Sequence, residues 1–201
     1  MKVLFATKNE AKLRRYADKL IKKGIEVISI KDLEHEVEVK EDGKTALENA
    51  YIKAKAYYDA TGIITFGIDD NLYFEDVPEE KQPGTHVRRV NGKTLTDDEM
   101  IEHYTGIVKE MGRNIEAKWV YGLVLYDGKE KKEYTWSKGK MLMVDTACEK
   151  RNPGYPLDSI TVVPRFNKYT VELTEAEKKE RSLYESDDDA IEFIAKNVLE
   201  G

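Results

Sequence analysis

The sequence predicts an α/β fold within a single domain that spans residues 1–201. Three observations support this prediction. The chain opens with a short apolar strand that leads through a polar turn into an amphipathic helix. Further along, a helix with a capping motif leads into a second apolar strand, and two long strands later follow one another directly. A chain of 201 residues suffices for one sizeable core, or for two lobes sharing a sheet, but hardly for two independent domains.

The first predicted element is a strand from Lys2 to Thr7, and the helix after it ends at Gly24. The turn between them holds Thr7, Asn9 and Lys12. A helix N-terminus directly after a strand offers backbone N–H groups and the positive end of a dipole to a phosphate group. The turn is therefore a candidate phosphate site. The alternative is that Asn9 only caps the helix and Lys12 is solvated. The sequence contains neither a P-loop motif nor a dinucleotide-binding motif.

The next predicted elements are a strand at Glu26–Ile30 and a helix from Thr45 to about Thr61. Thr45 and Glu48 form a capping-box pattern, and Gly62 is placed to end the helix. Glu48 therefore has a structural explanation. The residues predicted to face inward are Leu47, Ala50, Ala54, and Tyr57 or Tyr58.

Two adjacent carboxylates, Asp69 and Asp70, follow the predicted strand at Ile63–Ile68. Buried strands do not normally end on two charges, and neighbouring side chains on an extended backbone point to opposite faces. One interpretation is a polar turn. The other is a site for a divalent metal ion or a general base at the mouth of a sheet.

The rest of the chain is predicted to contain two long strands joined by a hairpin turn at Asp127 and Gly128. The further predicted elements are a loop at Pro78–Gly84, a helix capped by Asp97, the two long strands at Ala117–Tyr126 and Lys132–Val144, a loop at Asn152–Pro156, a strand at Ile160–Val163, a helix opened by Thr174 with Glu177, and a final helix at Asp187–Leu199.

The composition limits the class of ligand and the compartment. A net charge of −6 argues against a general nucleic-acid binder, so an anionic ligand has to meet a few local lysines and arginines. The single cysteine, Cys148, excludes an internal disulfide and fits a reducing compartment. No stretch approaches the ~20 apolar residues of a membrane span or has the pattern of a signal peptide. We expect a soluble cytoplasmic protein that binds a small ligand and neither nucleic acid nor membrane.

Five motifs, in order along the chain, resemble those of the inosine triphosphate pyrophosphatase family, also called the Ham1 family. No single motif is specific, but together they span nearly the whole chain. The motifs are ATKNEAK at Ala6–Lys12, EDGKTALENAYIKA at Glu41–Ala54, FGIDDNL at Phe66–Leu72 with Pro83, Gly84 and Arg89 behind it, GYPLDSI at Gly154–Ile160, and ELTEAEK at Glu172–Lys178.

The resemblance implies a house-cleaning enzyme that hydrolyses nucleoside triphosphates between the α and β phosphorus atoms, giving a monophosphate and pyrophosphate, with Mg²⁺ as cofactor. It also implies a long twisted mixed β-sheet with flanking helices, two lobes around a central cleft, and a homodimer. The residue types agree with this chemistry, because lysines and arginines bind a triphosphate while carboxylates hold the metal ion and orient a water molecule.

The resemblance also implies roles for individual residues. Asp70 falls on the position that activates water and binds metal, and Glu41 falls on a further metal-ligand position. The implied substrate-binding residues are Thr7, Asn9 and Lys12 at the phosphates, Lys53, Arg89 and Lys178 as further basic positions, Asn71 after the paired acids, Tyr155 stacked on the base, and Asp158 as a polar partner in the same loop. The role of Asp69 stays open.

The chain departs from the family pattern near the acids and near the C-terminus. Asn71 and Leu72 replace the serine and glycine that usually follow the paired acids. Leu183 and Tyr184 stand where the family has a histidine and an arginine that contact the base. The loss of these donors predicts altered base selectivity, unless Arg181 replaces them. The alternative to an enzyme is a nucleotide-binding relative with a regulatory role that has lost turnover.

Overall fold

The computed structural model describes residues 1–35 and 37–200, with the backbone alone for Ala11. Strands and helices alternate from β1 to β3, and later in the chain strands follow strands and α5 follows α4. The helices are α1 (Glu10–Lys22), α2 (Ala46–Thr61), α3 (Asp97–Met111), α4 (Glu175–Tyr184) and α5 (Asp188–Leu199). The strands are β1 (Lys2–Phe5), β2 (Glu26–Ser29), β3 (Thr65–Phe74), β4 (Arg89–Val90), β5 (Lys93–Thr94), β6 (Ile115–Tyr126), β7 (Lys131–Met143), β8 (Thr161–Val163) and β9 (Lys168–Tyr169). None of the helices in the described residues has the length and apolar character needed to cross a membrane.

Seven strands form one mixed sheet in the order β2-β1-β3-β6-β7-β8-β9, and β4 pairs separately with β5. β1 is parallel to both β2 and β3, with Leu4 opposite Ile28 on one side and Thr65 on the other. β8 is antiparallel to β7 and to β9. The predicted mixed sheet with flanking helices is therefore confirmed. Because β1 and β3 are parallel and paired, polar groups that follow β1 meet groups further along β3 at the same edge.

The chain divides into two compact units. The first contains Met1–Asp70, Val120–Trp136 and the segment from Asp187 onward. At its centre the rings of Phe5 and Phe66 stack with centroids 4.2 Å apart. Both rings are fully buried, so the paired strands β1 and β3 are anchored by aromatic packing as well as by backbone hydrogen bonds.

The second unit contains Asn71–Trp119 and Ser137–Ser186. Its core is an apolar cluster in which α3 packs on the strands, and Phe74 meets Tyr104 edge to face at 5.9 Å. The hydroxyl of the buried Tyr104 donates to the carbonyl oxygen of Val87 at 2.7 Å. The ring is thus buried without leaving its polar end unpaired.

The paired acids lie inside β3 and not at its end, which corrects the sequence-based prediction. β3 runs from Thr65 to Phe74, with Asp69 and Asp70 in its middle. The strand continues because Leu72 and Phe74 resume the alternation of buried apolar side chains and enter the core of the second unit. The interpretation of the two acids as a polar turn is therefore wrong.

The cap of α3 is Thr96 and not Asp97. The Thr96 hydroxyl accepts from the backbone N–H of Glu99 at 3.3 Å, and the Glu99 carboxylate accepts from the backbone N–H of Thr96 at 2.8 Å. This reciprocal pair satisfies two N–H groups that a lone Asp97 cap would leave unpaired. Asp97 instead binds Arg88 at 2.8 Å and the backbone N–H of Gly154 at 2.7 Å.

Two glycines let α2 lie directly on the backbone of the sheet. A Cβ atom at Gly67 would lie 2.2 Å from the carbonyl oxygen of Ala50, and one at Gly122 would lie 2.4 Å from the backbone nitrogen of Leu47. Both distances are far below an ordinary contact. The buried face of α2 is therefore held at a fixed position above β3 and β6.

Candidate active site

The turn between β1 and α1 is shaped by its own side chains. The backbone N–H of Lys12 donates to Asn9 Oδ1 at 3.2 Å, so Asn9 caps α1 as the structural alternative predicted. The backbone N–H of Asn9 donates in turn to Thr7 Oγ1 at 3.2 Å. Capping does not compete with a phosphate role, because the first backbone N–H groups of α1 still point out of the helix end.

Lys53 occupies a position on α2 where the sequence pattern predicts only small or apolar residues. The buried side chains of this helix are Ala46, Asn49, Ala50, Lys53, Ala54 and Tyr57, so Tyr57 rather than Tyr58 is the inward tyrosine. Lys53 is only 9% exposed. A buried ammonium group needs charged or polar partners, and those of Lys53 come from a loop and from β3.

The loop before α2 carries Glu41 and is tied to the helix at two points. The backbone N–H of Gly43 donates to Asn49 Oδ1 at 2.8 Å, and the backbone N–H of Lys44 donates to Glu48 Oε2 at 2.6 Å. Glu48 therefore has a structural role at the start of α2. A Cβ at Gly43 would lie 2.6 Å from Asn49 Oδ1, so this close approach needs a glycine.

Three carboxylates and two ammonium groups alternate in one arrangement, here called the acid–lysine cluster. Lys12 Nζ lies 2.5 Å from Asp70 Oδ1 and 3.8 Å from Asp69 Oδ1. Lys53 Nζ lies 3.4 Å from Asp69 Oδ1 and 2.8 Å from Glu41 Oε2. Asp69 therefore lies between the two lysines, and the outer carboxylates are those of Asp70 and Glu41.

A backbone oxygen completes the cluster. The carbonyl oxygen of Ile68 accepts from Lys12 Nζ at 3.5 Å and from Lys53 Nζ at 3.3 Å. Both ammonium groups thus lie within 3.5 Å of one oxygen atom, side by side over the same stretch of β3. No sequence pattern could have identified this carbonyl, because every residue carries one.

A pocket of about 360 Å³ lies at the cluster. Its lining includes polar residues, three of them lysines, as well as apolar ones, and it does not include Asp69 or Asp70. The polar lining residues are Thr7, Lys8, Asn9, Lys12, Glu41 and Lys53, and the apolar ones are Ala6, Ile30, Val37, Val39 and Tyr57. The predicted phosphate-binding residues and the predicted metal ligand Glu41 therefore face one space.

The oxygen donors of the cluster fit a hard divalent cation in type. Among residues 1–35 and 37–200, no three acidic, histidine or cysteine side chains are grouped to hold a metal ion on their own. Mg²⁺ does not need such a group, because it is usually held by one or two carboxylates together with phosphates and waters. Glu41 and Asp70 supply two carboxylates, whose side chains are 44% and 27% exposed.

Tyr121 is a neighbour of Asp70 that the sequence does not single out. It lies on β6, is 8% exposed, and stacks on Trp136 with ring centroids 5.0 Å apart. Burial, followed by the charge of Asp70, raises the pKa of the Tyr121 phenol, which therefore stays protonated at neutral pH. An inward tyrosine on a strand is ordinarily a core residue, so its sequence position carries no functional signal.

Five predicted substrate residues lie in the second unit: Asn71, Arg89, Tyr155, Asp158 and Lys178. Asn71 Oδ1 is buried and has no hydrogen-bond partner among the described residues. Arg89 lines a pocket of about 480 Å³ with His86 and His103, and burial lowers the pKa of His103.

The predicted base-binding loop is exposed at Tyr155 and is fixed by polar contacts with its neighbours. Tyr155 is 65% exposed, as a stacking platform would require. Asp158 accepts from Asn152 Nδ2 at 2.8 Å. Arg88 donates to the carbonyl oxygen of Gly154 at 3.3 Å, an anchoring role that the sequence does not predict.

The helix α4 carries Lys178 and the residues that depart from the family pattern. Lys178 Nζ lies 2.7 Å from Glu175 on the exposed surface. Arg181 donates through Nε to Glu185 at 2.8 Å and lines a pocket of about 380 Å³ with Tyr184. Among the described residues, Lys178 and Arg89 have no contact with each other and no neighbour in common. These two basic residues, both predicted to bind the substrate, are therefore not brought together within the second unit.

Comparison with known proteins identifies the family to which the chain is similar. A model of the Ham1 family matches residues 3–185. The chain is 31% identical over 194 residues to a dITP/XTP pyrophosphatase of Aquifex aeolicus, and 29% identical over 184 residues to one of Vibrio parahaemolyticus, each match covering 90% of both proteins.

Solved structures agree on the fold. The Ham1 protein of Staphylococcus aureus superposes with a TM-score of 0.75 at 22% identity, covering 98% of this chain and all of the other. A HAM1 protein from Coxiella burnetii gives a TM-score of 0.75 at 22% identity over the whole of both chains. At these identities the structural likeness establishes the fold, and the family match establishes the relationship. The chain belongs to the Ham1 family.

Proposed function

We propose that this protein hydrolyses non-canonical purine nucleoside triphosphates to a nucleoside monophosphate and pyrophosphate. Membership of the Ham1 family supports the proposal, as do the Aquifex and Vibrio relatives named as dITP/XTP pyrophosphatases. A nucleotide binder without turnover is not favoured, because the relatives are named as enzymes.

The observation that carries the proposal is the acid–lysine cluster beside the pocket at the N-terminus of α1. Lysines next to a helix N-terminus suit a polyphosphate, and carboxylates in the same place suit a metal ion and an attacking water. A site for a neutral ligand would not need five charged side chains linked one to the next by four ion-pair contacts.

Within this proposal, the residues of the acid–lysine cluster and of the turn before α1 bind the reacting end of the substrate. Lys12 and Lys53 bind phosphate oxygens, with Thr7 and Asn9 completing the phosphate site. Asp70 accepts the proton of the attacking water, and Glu41 and Asp70 hold Mg²⁺. When bound, Mg²⁺ offsets negative charge on the polyphosphate.

The other residues that the resemblance implies are proposed to bind the rest of the substrate. Arg89 and Lys178 supply further positive charge, Tyr155 stacks on the base, and Asp158 is its polar neighbour. Asn71 fits a ligand contact because its buried Oδ1 lacks a partner among the described residues. An unpaired buried acceptor costs roughly 1–3 kcal/mol, which a donor on the ligand would recover.

The base selectivity proposed for this chain differs from that of the family pattern. Leu183 and Tyr184 are 72% and 62% exposed on α4 and take the places of two donors. The Tyr184 hydroxyl accepts from Arg165 Nη2 at 2.7 Å, so at most one O–H donor stands in place of two donor side chains. We therefore expect weaker discrimination between 6-oxo and 6-amino purines.

The setting proposed for the enzyme rests on the sequence and on the family. It acts as a single-domain protein in the cytoplasm and forms a homodimer, as the resemblance implies. Its net charge of −6 supports a small nucleotide substrate rather than nucleic acid. The lack of a long apolar stretch in the sequence supports a protein that does not bind the membrane.

One experiment tests the reaction. The full chain is incubated with Mg²⁺ and a panel of ribo- and deoxynucleoside triphosphates, and pyrophosphate is assayed separately from orthophosphate. We expect pyrophosphate and monophosphate in equal amounts. Release of orthophosphate, or no release from any triphosphate, would contradict the proposal, and the matched variant Asp70→Asn shows whether a measured activity belongs to this site.

A further inference from the structure

The loop that carries Tyr155 is attached to the start of α3 through Gly154. The backbone N–H of Gly154 donates to Asp97 Oδ2 at 2.7 Å, and its carbonyl oxygen accepts from Arg88 Nη2 at 3.3 Å. Arg88 Nη1 in turn lies 2.8 Å from Asp97 Oδ1. These three residues therefore form a closed ring of hydrogen bonds, here called the Gly154 clamp, that holds the peptide groups on both sides of one glycine.

Other contacts fix the positions of the groups in the Gly154 clamp. Asp97 is the first residue of α3, directly after the Thr96 cap, and Arg88 Nη1 also donates to the carbonyl oxygen of Leu95 at 3.2 Å. Gly154 has a φ of 83°, in the left-handed region that favours glycine. The hydrogen bond from Gly154, and then that from Arg88, lower the pKa of Asp97, so its carboxylate is charged at neutral pH.

The backbone of Tyr155 itself is also held in place. Its N–H donates to the carbonyl oxygen of Asn152 at 2.8 Å, and its carbonyl oxygen accepts from the N–H of Asp158 at 3.1 Å. Pro156, the next residue, is buried and has its φ restricted by its ring. The Tyr155 ring is nevertheless exposed and contributes little to the core. A backbone that is ordered before a ligand arrives lowers the entropic cost of binding to such a ring.

The adjacent arginines Arg88 and Arg89 have different surroundings. Arg89 lines the pocket of about 480 Å³, where it is open to a ligand. The Arg88 guanidinium instead contacts Asp97 and the carbonyl oxygens of Leu95 and Gly154. A ligand that binds Arg89 can therefore leave the Gly154 clamp intact.

We propose that Arg88 and Asp97 are positioning residues, which act through Gly154 to hold Tyr155 where it stacks on the base of a nucleotide. That the stacked group is a base rests on the proposed function. The Gly154 clamp contributes to the affinity for the base end of the ligand and not to the affinity for its phosphates. Loss of either side chain opens the ring of hydrogen bonds, so the two residues act as one unit.

Two ligands that share a triphosphate and differ in the base test this role. The full chain is titrated by calorimetry, in excess Mg²⁺, with α,β-methylene inosine triphosphate and separately with inorganic tripolyphosphate. We expect Arg88→Ala and Asp97→Ala each to weaken nucleotide binding about fivefold or more, within the usual range of coupling between sites, and to leave tripolyphosphate binding unchanged. Asp98→Ala is the matched control, because Asp98 is an exposed acid in the same turn of α3, and both affinities should stay unchanged.

A double-variant cycle separates positioning of Tyr155 from a general loss of structure. In the Tyr155→Ala background, Arg88→Ala should cause no further loss of nucleotide affinity, because the ring that it positions is gone. Losses that add in the double variant overturn the proposal. Equal losses for nucleotide and tripolyphosphate overturn it, and so does a parent protein that binds the two ligands equally tightly.

The variants are expected to fold, because the side chains of Arg88 and Asp97 are both 38% exposed and such pairs contribute little to stability. Arg88→Lys provides a second variant if thermal melting shows that Arg88→Ala is unfolded. It keeps the charge but lacks the planar pair of donors, so it should also weaken nucleotide binding alone.

Amide hydrogen exchange measures the Gly154 clamp without any ligand. We expect the Gly154 N–H to exchange about tenfold or more faster in Asp97→Ala and in Arg88→Ala than in the parent protein, and at the parent rate in Asp98→Ala. Unchanged exchange in both clamp variants overturns the proposal. Neither measurement needs turnover. A protein that releases no pyrophosphate, but whose clamp variants lose nucleotide affinity, contradicts the proposed function alone, whereas an active protein whose variants bind nucleotide normally contradicts the positioning role alone.

Discussion

Lys53 Nζ lies 2.8 Å from Glu41 Oε2, although one residue stands on the buried face of a helix and the other on a half-exposed loop. This contact joins the loop, α2 and β3, because Lys53 also reaches Asp69 and the Ile68 carbonyl. Lys53 lies on the buried face of α2, where apolar side chains are the rule. Its positive charge brings the carboxylates of Glu41 and Asp69 together.

Asp70→Asn is expected to lower kcat by about 10² or more while leaving binding of the triphosphate largely intact, because the amide keeps the shape of the side chain and loses its basicity. The measurement is steady-state kinetics together with calorimetry on a non-hydrolysable analogue. A variant with a kcat near that of the parent protein would remove Asp70 from its proposed role.

Lys12→Ala is expected to weaken binding of a triphosphate much more than binding of the corresponding monophosphate, since Lys12 is proposed to meet the phosphate chain. A hydrogen bond to a charged group contributes roughly 1.5–3 kcal/mol. Lys19→Ala is the control on the same helix, because Lys19 pairs with Asp188 at 2.7 Å. Equal losses for both ligands would place Lys12 outside the phosphate site.

The same comparison applies to Lys178→Ala on α4. The Lys178 side chain is 53% exposed and pairs with the neighbouring Glu175 on the surface of α4, so its removal should leave the melting temperature unchanged and still weaken triphosphate binding. Calorimetry on both ligands checks this, and an unchanged triphosphate affinity would show that Lys178 is a solvated surface lysine.

Gly67→Ala is expected to destabilise the fold by at least about 2 kcal/mol, because the new methyl group would lie 2.2 Å from the Ala50 carbonyl oxygen. Gly106→Ala is the opposite control. Gly106 is exposed on α3 with nothing within 4 Å of its Cβ position, so alanine should stabilise by about 0.5–1 kcal/mol. Urea unfolding measures both, and a neutral Gly67→Ala would refute the close helix–strand contact.

Glu177 is expected to titrate with a pKa of about 2, because its carboxylate binds Lys168 at 2.7 Å and the backbone N–H of Thr174 at 2.8 Å. The folded pKa lies below the ordinary 4.5, so the charged carboxylate stabilises the protein above about pH 4.5, and this contribution is lost as the pH falls toward 2. Carboxyl NMR measures the pKa directly. Thr174→Ala should move it upward, and a pKa near 4.5 in the parent protein would contradict the capping box.

The values of kcat/KM for triphosphates with different purine bases are expected to differ little. Leu183 has no hydrogen-bond donor and Tyr184 has one, so these positions offer fewer donors with which to distinguish one base from another. Values of kcat/KM for inosine, xanthosine, guanosine and adenosine triphosphates at one Mg²⁺ concentration provide the measurement. A preference of about 10²-fold or more for inosine or xanthosine would show that another residue reads the base, and Arg181→Gln would then test whether that residue is Arg181.

Much of the architecture follows from local patterns in the sequence. The Thr45 cap and Gly62 bound α2, although the predicted capping box is incomplete because the Glu48 carboxylate accepts from Lys44 and not from Thr45. The capping box of Thr174 and Glu177 begins α4, and alternation of apolar residues places the long strands. Local patterns do not predict the extent of β3, because Leu72 and Phe74 are buried by partners that are distant in the sequence. Local patterns carry no information about such partners.

The candidate site was predictable in membership but not in arrangement. The types and order of Lys12, Glu41, Lys53 and Asp70 identify them as candidates. Their alternation around Asp69 depends on a tertiary contact between α2 and β3, and on a backbone oxygen that no pattern marks. The sequence predicts that the lysines bind phosphate and that the carboxylates bind metal. It does not predict the ion pairs in which Lys12 binds Asp70 and Lys53 binds Glu41.

The glycine contacts under α2 have an entropic consequence. A lysine ordinarily gives up roughly 1.5–2 kcal/mol of rotamer freedom when it is immobilised. At Gly67 and Gly122 the helix backbone rests directly on the sheet, and the methylene groups of Lys53 are buried. Little of that freedom is left to lose when an anion arrives, so the charge is preorganised. Gly67 and Gly122 thereby favour anion binding by the Lys53 ammonium group through the position of α2.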